Sequence, residues 1–353
     1  MRLRRWLEAL WWRPRLAPEG WWLVPLSSLY QLIVAVRQAL AEMGWRRPPP
    51  GAVPVPVVVV GNLIVGGAGK TPTTLAVVQG LQERGWHPGI VSRGYGGSRR
   101  EPGAVHGNTD PTACGDEPLL LRRRSGVPVW TGRSRVAAAQ ALCAAHPDVD
   151  ILVADDGLQH LALARCAQVI VFDGRGAGNR WCLPAGPLRQ RLTPEPPPRS
   201  VVVYNAAEPS VHWPGHCAQR GLGRLSRLSD WWASDGRGAG RPWLAPESLS
   251  QARLRAAAGI AEPERFFVML ERLGLRLDER WPLADHAPLS PRPWPDDGAT
   301  TIVTEKDAVK LAPDSTDAGH IVVATLDFGL PPGFWAELEP LLPARRRAVA
   351  PLP

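Results

Sequence analysis

One short segment constrains the fold more than any other. Val57 to Val60 is an unbroken β-branched run, the string Gly66-Gly67-Ala68-Gly69-Lys70-Thr71 follows it, and Pro72 to Arg84 then reads as a helix. A run that is apolar at every position suits a strand buried on both faces, and proline costs little in a helix's first turn, where its N–H would lack a partner anyway. Strand, glycine loop and helix in series predict an α/β fold with a parallel sheet, and they put backbone N–H groups and a helix N-terminus where anions bind. Glycine lets the backbone approach phosphate oxygens closely. In such a loop Lys70 is placed for the β- and γ-phosphates of ATP and the Thr71 hydroxyl for magnesium. The common spacing G-x-x-x-x-G-K-[ST] would need glycine at Ile64, so the nearer pattern is G-G-x-G-K-T.

The rest of the chain extends this reading. At 353 residues it has room for about two domains. Further strands are expected at Gly89 to Ser92, Val127 to Trp130 and Ile151 to Ala154, then at Val169 to Phe172, Val201 to Tyr204, Thr301 to Thr304 and Ile321 to Ala324; Phe266 to Leu270 reads equally as strand or helix. Two series of strands imply two α/β halves, a phosphate-loop domain over 49–165 and a second over 166–345. Pro48-Pro49-Pro50 and Pro194 to Pro198 read as linkers or loop edges.

Residues 1–48 differ from the rest. Six of the sixteen tryptophans fall there (6, 11, 12, 21, 22 and 45), and Gly20 to Val36 carries no formal charge. As a helix this stretch would be about 26 Å long, short of a hydrocarbon core of roughly 30 Å. Arg2, Arg4, Arg5, Arg13 and Arg15 precede it; Arg37, Arg46 and Arg47 follow. An interfacial anchor with tryptophans at headgroup level fits this composition; a docked soluble helix is the other reading.

Hydrophobic residues make up 44% and charged residues 21%, which excludes a disordered chain. The net charge of +8 suits an anionic partner. No long basic run with interleaved aromatics is present, so a phosphorylated or lipid partner is expected rather than nucleic acid. Five scattered cysteines without C-x-x-C spacing read as free thiols. Of 41 basic residues only Lys70, Lys306 and Lys310 are lysines. Where arginine is used nearly everywhere, a lysine marks a place that needs a compact ammonium.

Acidic residues form three constellations. Ile151 to Ala154 ends in Asp155-Asp156, carboxylates at a strand's C-terminal edge that could hold magnesium. Gly115-Asp116-Glu117-Pro118 precedes an apolar helix and offers either metal and catalytic groups or first-turn charge. Asp285-His286 is either an oriented imidazole or a surface pair. Arg93 and Tyr95, Arg133, and Arg189 either clamp a phosphorylated substrate, since guanidinium forks onto phosphate, or belong to a solvated face.

Taken in order, these strings resemble the tetraacyldisaccharide 4'-kinase family of lipid A biosynthesis. The resemblance rests on Val60-Gly61-Asn62-Leu63 with the glycine loop, Ser92 to Gly97, Gly115 to Pro118, Gly132-Arg133 and Asp155 to His160. Leu183 to Arg189, Gly259-Ile260-Ala261, Asp285-His286 and Thr304 to Asp307 complete it. It implies two Rossmann-like P-loop-type α/β/α domains with an N-terminal membrane-associated helix, at the cytoplasmic face of the inner membrane. It implies transfer of the ATP γ-phosphate to the 4'-hydroxyl of an acylated glucosamine disaccharide 1-phosphate. Asn62, Gly66, Gly67, Ala68, Gly69, Lys70 and Thr71 would bind ATP. Asp116 would be the base, with His286 and its partner Asp285; Thr71, Glu117, Asp155 and Asp156 would serve Mg2+. The chain departs from the family at Ala68, Ala287 and Gln190, where a polar residue, a second histidine and a glutamate are usual. Two other readings stay open on the residues alone: a partner-stimulated P-loop NTPase, and a non-enzymatic membrane-associated binding protein.

Overall fold

The computed structural model describes residues 2–45, 51–234, 243–313 and 318–345. Arg46, Arg47, the proline run 48–50 and the expected boundary at 48/49 lie outside these residues, as do the side chains of Arg2, Arg4 and Arg5. The chain forms two compact units, one drawn from 1–91, 135–218 and 330–353, the other from 92–134 and 219–329. They are interleaved in sequence, where the sequence reading has consecutive halves meeting near residue 165. The pairing of Ala167–Asp173 with Val57–Gly61 runs across that point.

In the first unit six parallel strands lie in the order Pro88–Ser92, Ile151–Asp155, Val57–Gly61, Ala167–Asp173, Ser200–Asn205 and His216–Cys217. Val58 stands beside Val153 on one side and Ala167 on the other. Every residue of Val57–Gly61 is buried, as a doubly covered parallel strand requires. The strand order reverses about Val57–Gly61, and ligands of such sheets bind outside the strand C-termini at that reversal. Helix Lys70–Glu83 buries Val77, Val78 and Leu81. Its Gly80 lies against the Trp335 ring so closely that a Cβ would fall 1.9 Å from Cζ2.

The N-terminal segment packs on this unit. Helix Arg2–Trp11, a 3-10 turn Pro18–Leu23 and helix Val24–Glu42 follow in series. Leu10, Leu23 and Ala185 form a small core with Trp6, Leu16 and Trp181 around it. Buried Ser27 donates to Cys182 O at 2.8 Å and Tyr30 to Arg189 O at 2.9 Å. Residues 22, 26, 29, 33 and 36 instead form an exposed apolar stripe at helical spacing. By length and composition 18–42 could cross a membrane.

In the second unit a five-stranded sheet has the order Glu279–Pro282, Leu254–Ala258, Thr300–Thr304, Ile321–Gly329 and Gln219–Arg227. Only the last strand is antiparallel to its neighbour. Residues 266–270 belong to helix Pro263–Arg272, whose Phe266, Phe267 and Leu270 fill the core over this sheet. The unit also holds helix Asp116–Ser125, which lies in sequence between the antiparallel strands Gly103–Val105 and Val129–Thr131. All five cysteines are free.

Candidate active site

Each unit presents a cluster at the C-terminal ends of its strands. In the first, the loop after Val57–Gly61 turns through Gly66 (φ 99°) and Gly69 (φ 91°), values that favour glycine. Gly69 precedes the helix that Lys70 opens. A Cβ on Gly69 would fall 2.3 Å from Asn205 Nδ2, so the loop closes tightly on that side chain. Asn62 Nδ2 donates to Gly66 O at 3.1 Å and its Oδ1 accepts from Lys70 at 3.4 Å. Ala68 is buried while Gly66 and Gly67 are exposed. Arg175 donates to Gly67 O at 3.2 Å, pairs with Asp173, and stacks over Trp12 at 4.1 Å. The N-terminal segment, just past its first helix, therefore reaches the loop through one guanidinium.

The carboxylates of this cluster have distinct surroundings. Asp155 is buried and accepts from Thr74 Oγ1 at 3.0 Å. Asp156 sits at φ 48°, 3.8 Å from Lys70 Nζ and 3.0 Å from Arg189 Nη1. Burial works to raise its pKa, but Lys70, Arg189 and Arg135 outweigh burial and hold it below the usual aspartate value. Arg189, expected at the substrate, also donates to Gln159 at 3.1 Å, so its charge is committed to Asp156's surroundings. Thr71 lies half-buried next to Lys70.

In the second unit Gly115 (φ 93°) delivers Asp116 as the first residue of its helix. His286 Nδ1 lies 2.9 Å and 3.0 Å from the two Asp116 oxygens. Two carboxylate oxygens at Nδ1 make that nitrogen the donor, and Nε2 accepts from Lys306 Nζ at 3.2 Å. Burial works to raise the Asp116 pKa, but the His286 hydrogen bond and Lys306 bring it below the usual value. The His286 pKa is raised, chiefly by its bond to Asp116, against burial and Lys306.

Lys306 organises the remaining acids. It donates to Asp285 at 2.8 Å and to Glu117 at 3.0 Å; burial opposes its charge, yet Glu117, Asp285 and Asp116 together raise its pKa. Asp285 was expected as the partner of His286, but it stands 3.8 Å from Nε2. An ammonium attracts a carboxylate more strongly than an imidazole edge does, and Asp116 takes the imidazole instead. Glu117, expected at magnesium, likewise faces Lys306. Tyr95 places its ring at 5.3 Å from the His286 ring, edge-on, and is largely exposed. Arg93 and Arg133 are exposed on the same unit.

The sequence reading did not assign roles to Lys306, Arg175 or Asn205. For Lys306 a signal existed, since it is one of three lysines; for the other two, only tertiary proximity reveals them.

The model of the tetraacyldisaccharide-1-P 4'-kinase family matches residues 19–342. The chain belongs to that family. A tetraacyldisaccharide 4'-kinase of Leptothrix cholodnii is 51% identical over 92% of this chain and 93% of its own. One of Methylibium petroleiphilum is 47% identical over 94% and 93%. The crystal structure of Aquifex aeolicus LpxK with ATP superposes with a TM-score of 0.71 over 91% of this chain and 98% of its own, at 24% identity. That likeness extends the family's fold to both units.

Proposed function

We propose that this chain is a tetraacyldisaccharide 4'-kinase, which moves the γ-phosphate of ATP to the 4'-hydroxyl of an acylated glucosamine disaccharide 1-phosphate in lipid A biosynthesis. The observation that carries the reading is the Asp116–His286 contact, with both carboxylate oxygens within 3.0 Å of Nδ1. An alcohol acceptor needs an ionised base of fixed orientation; this aspartate is ionised by its neighbours and fixed by the imidazole.

The phosphate loop fits a nucleotide. Its glycines leave no room for a Cβ at Gly69, and Asn205 Oδ1 is buried beside it without a partner among the described residues. Lys70 and the N–H groups of 66–71 would bind the phosphates. The oxygens of Thr71, Asp155 and Asp156 are hard donors of the kind Mg2+ takes, and the ion, when bound, neutralises charge on the β- and γ-phosphates. Glu117 is left to Lys306, which keeps Asp285 and His286 in place. Asp116 accepts the proton of the sugar hydroxyl as the phosphoryl group arrives; His286 holds the carboxylate and shares the charge. Arg93, Tyr95 and Arg133 are exposed for contact with the anionic lipid head.

The apolar stripe at 22, 26, 29, 33 and 36 would rest in the cytoplasmic face of the inner membrane, where an acylated substrate resides. Labelled ATP, magnesium and the acylated disaccharide 1-phosphate, given to the detergent-solubilised protein, should yield label on the 4' position. Lys70→Ala should abolish it; ATP hydrolysis with unlabelled lipid would instead favour a partner-stimulated NTPase.

A further inference from the structure

Lys310 and Asp307 touch no residue assigned above to phosphate, magnesium or lipid, yet they form a tightly enclosed ion pair in the second unit. Their side chains are 9% and 1% exposed, with Nζ to Oδ1 at 2.7 Å. Asp307 Oδ2 accepts from Gly259 N–H at 2.8 Å and from Thr304 Oγ1 at 2.7 Å. Lys310 Nζ also donates to Ala287 O at 3.1 Å. Gly259 follows strand Leu254–Ala258, and a Cβ there would fall 2.7 Å from Asp307 Oδ1 and 3.5 Å from Lys310 Nζ. The pair thus joins the ends of two strands to the residue after His286.

His286 is held in the left-handed region, at φ 60°. A histidine does not adopt that conformation freely, and it persists only where surrounding bonds over-determine it. Three bonds bracket it: Leu283 N–H to Ala258 O at 3.0 Å, Ala287 N–H to Ala284 O at 2.9 Å, and the Lys310 ammonium on Ala287 O. The first two are backbone bonds of the loop; the third comes from a side chain and anchors the far end of the loop to the sheet, as Lys306 holds Asp285 on the near side. A compact ammonium can serve a carboxylate and a carbonyl in one small space, which a planar guanidinium cannot do as readily.

We infer that the Asp307–Lys310 pair is a positioning device for His286, clamping the carbonyl of Ala287 so that the imidazole stays in its strained conformation against Asp116. The inference rests on the kinase reading above. The pair acts through His286 and does not touch the reacting atoms.

The test is a double-mutant comparison with Asp307→Asn/Lys310→Met, which removes both charges together and so leaves no unpaired buried charge. The variant is made in the wild-type and His286→Ala backgrounds, with turnover, KM for ATP and melting temperature measured. In the wild-type background kcat should fall by about tenfold or more with KM for ATP nearly unchanged. In the His286→Ala background the same change should cost less than about twofold, because its route of action is already lost. The NMR signal of the His286 ring should move in the pair variant, an observation that needs no turnover and so separates this inference from the kinase reading. Equal losses in both backgrounds, or an unmoved ring signal with unchanged kcat, would overturn it. Should the double replacement not fold, Lys310→Arg carries the same comparison with the charge retained.

Discussion

Asp116→Asn separates the base's position from its ability to take a proton. Asp116 Oδ1 already accepts from Glu117 N–H at 2.9 Å. The new amide oxygen inherits that place, leaving its nitrogen at Oδ2, 3.0 Å from His286 Nδ1. That amide oxygen is also 2.9 Å from His286 Nδ1 and can accept from it, so Nε2 keeps accepting from Lys306 and the geometry survives. What is lost structurally is charge assistance: a bond to a charged group contributes about 1.5–3 kcal/mol and a neutral one about 0.5–1.5. Asp116 is buried, so water does not screen the difference, and the melting temperature should fall by roughly 2–6 °C. Catalytically the loss is larger. A positioned general base contributes about 10²–10⁴ in rate, or roughly 3–5 kcal/mol of barrier. Initial rates of label transfer from ATP to lipid, at saturating concentrations of both, should therefore drop by two orders of magnitude or more while KM for ATP changes little. A D116N enzyme that keeps more than about a third of kcat, while showing the expected small drop in melting temperature, would remove Asp116 from the base role.

The other expectations follow from the same clusters. Gly69→Ala should weaken ATP binding and lower the melting temperature by roughly 2–8 °C, because φ is 91° and the added methyl meets Asn205; an unchanged ATP affinity by calorimetry would contradict the cradle. Lys306→Met should cut kcat strongly, since it leaves Glu117 and Asp285 facing each other and His286 Nε2 without its donor; turnover near wild type would refute this. The stability difference between wild type and His286→Ala should depend on pH. The raised His286 pKa contributes fully below 6.5 and is lost as pH rises through the folded value; the depressed Asp116 pKa contributes fully above 3.8 and is lost as pH falls through its own folded value. Melting scans should show the largest gap near pH 5, narrowing toward pH 9, and a gap that widens with pH would refute the coupling. Finally, Leu29→Glu with Ile33→Glu should reduce sedimentation with anionic lipid vesicles while leaving ATP binding intact, because both side chains are about half exposed.

How much of this was legible in the sequence depended on the range of the interaction. The phosphate loop is local: strand, glycines, lysine and helix follow one another between Val57 and Glu83, so the order of residues alone placed them. Leu254–Ala258 was missed because Leu-Arg-Ala-Ala-Ala has helical propensity, which the sheet overrides by burying every residue. Gln219–Arg227 was missed because its glycines and arginines lack a clean alternation and it lies at a sheet edge. The interleaving of the units was hidden for the same reason, since nothing in residues 135–218 announces which sheet they join.

The second cluster shows the limit more sharply. Asp116 and His286 are 170 positions apart, and neither is distinguished locally from a first-turn acid or a surface imidazole. Only family resemblance brought them together, and it gave His286 its sequence neighbour Asp285 as partner, whereas the imidazole donates its hydrogen bond to Asp116. The scarce lysines pointed in the right direction without saying why. Lys70 lies at the phosphate loop, Lys306 between three acids and an imidazole, and Lys310 between a buried aspartate and a carbonyl. In the last two places one small cation must satisfy several acceptors arranged around a point, which three rotatable N–H groups can do and a flat fork cannot. The residue type that the rest of the chain avoids has been kept where its shape, more than its charge, is required.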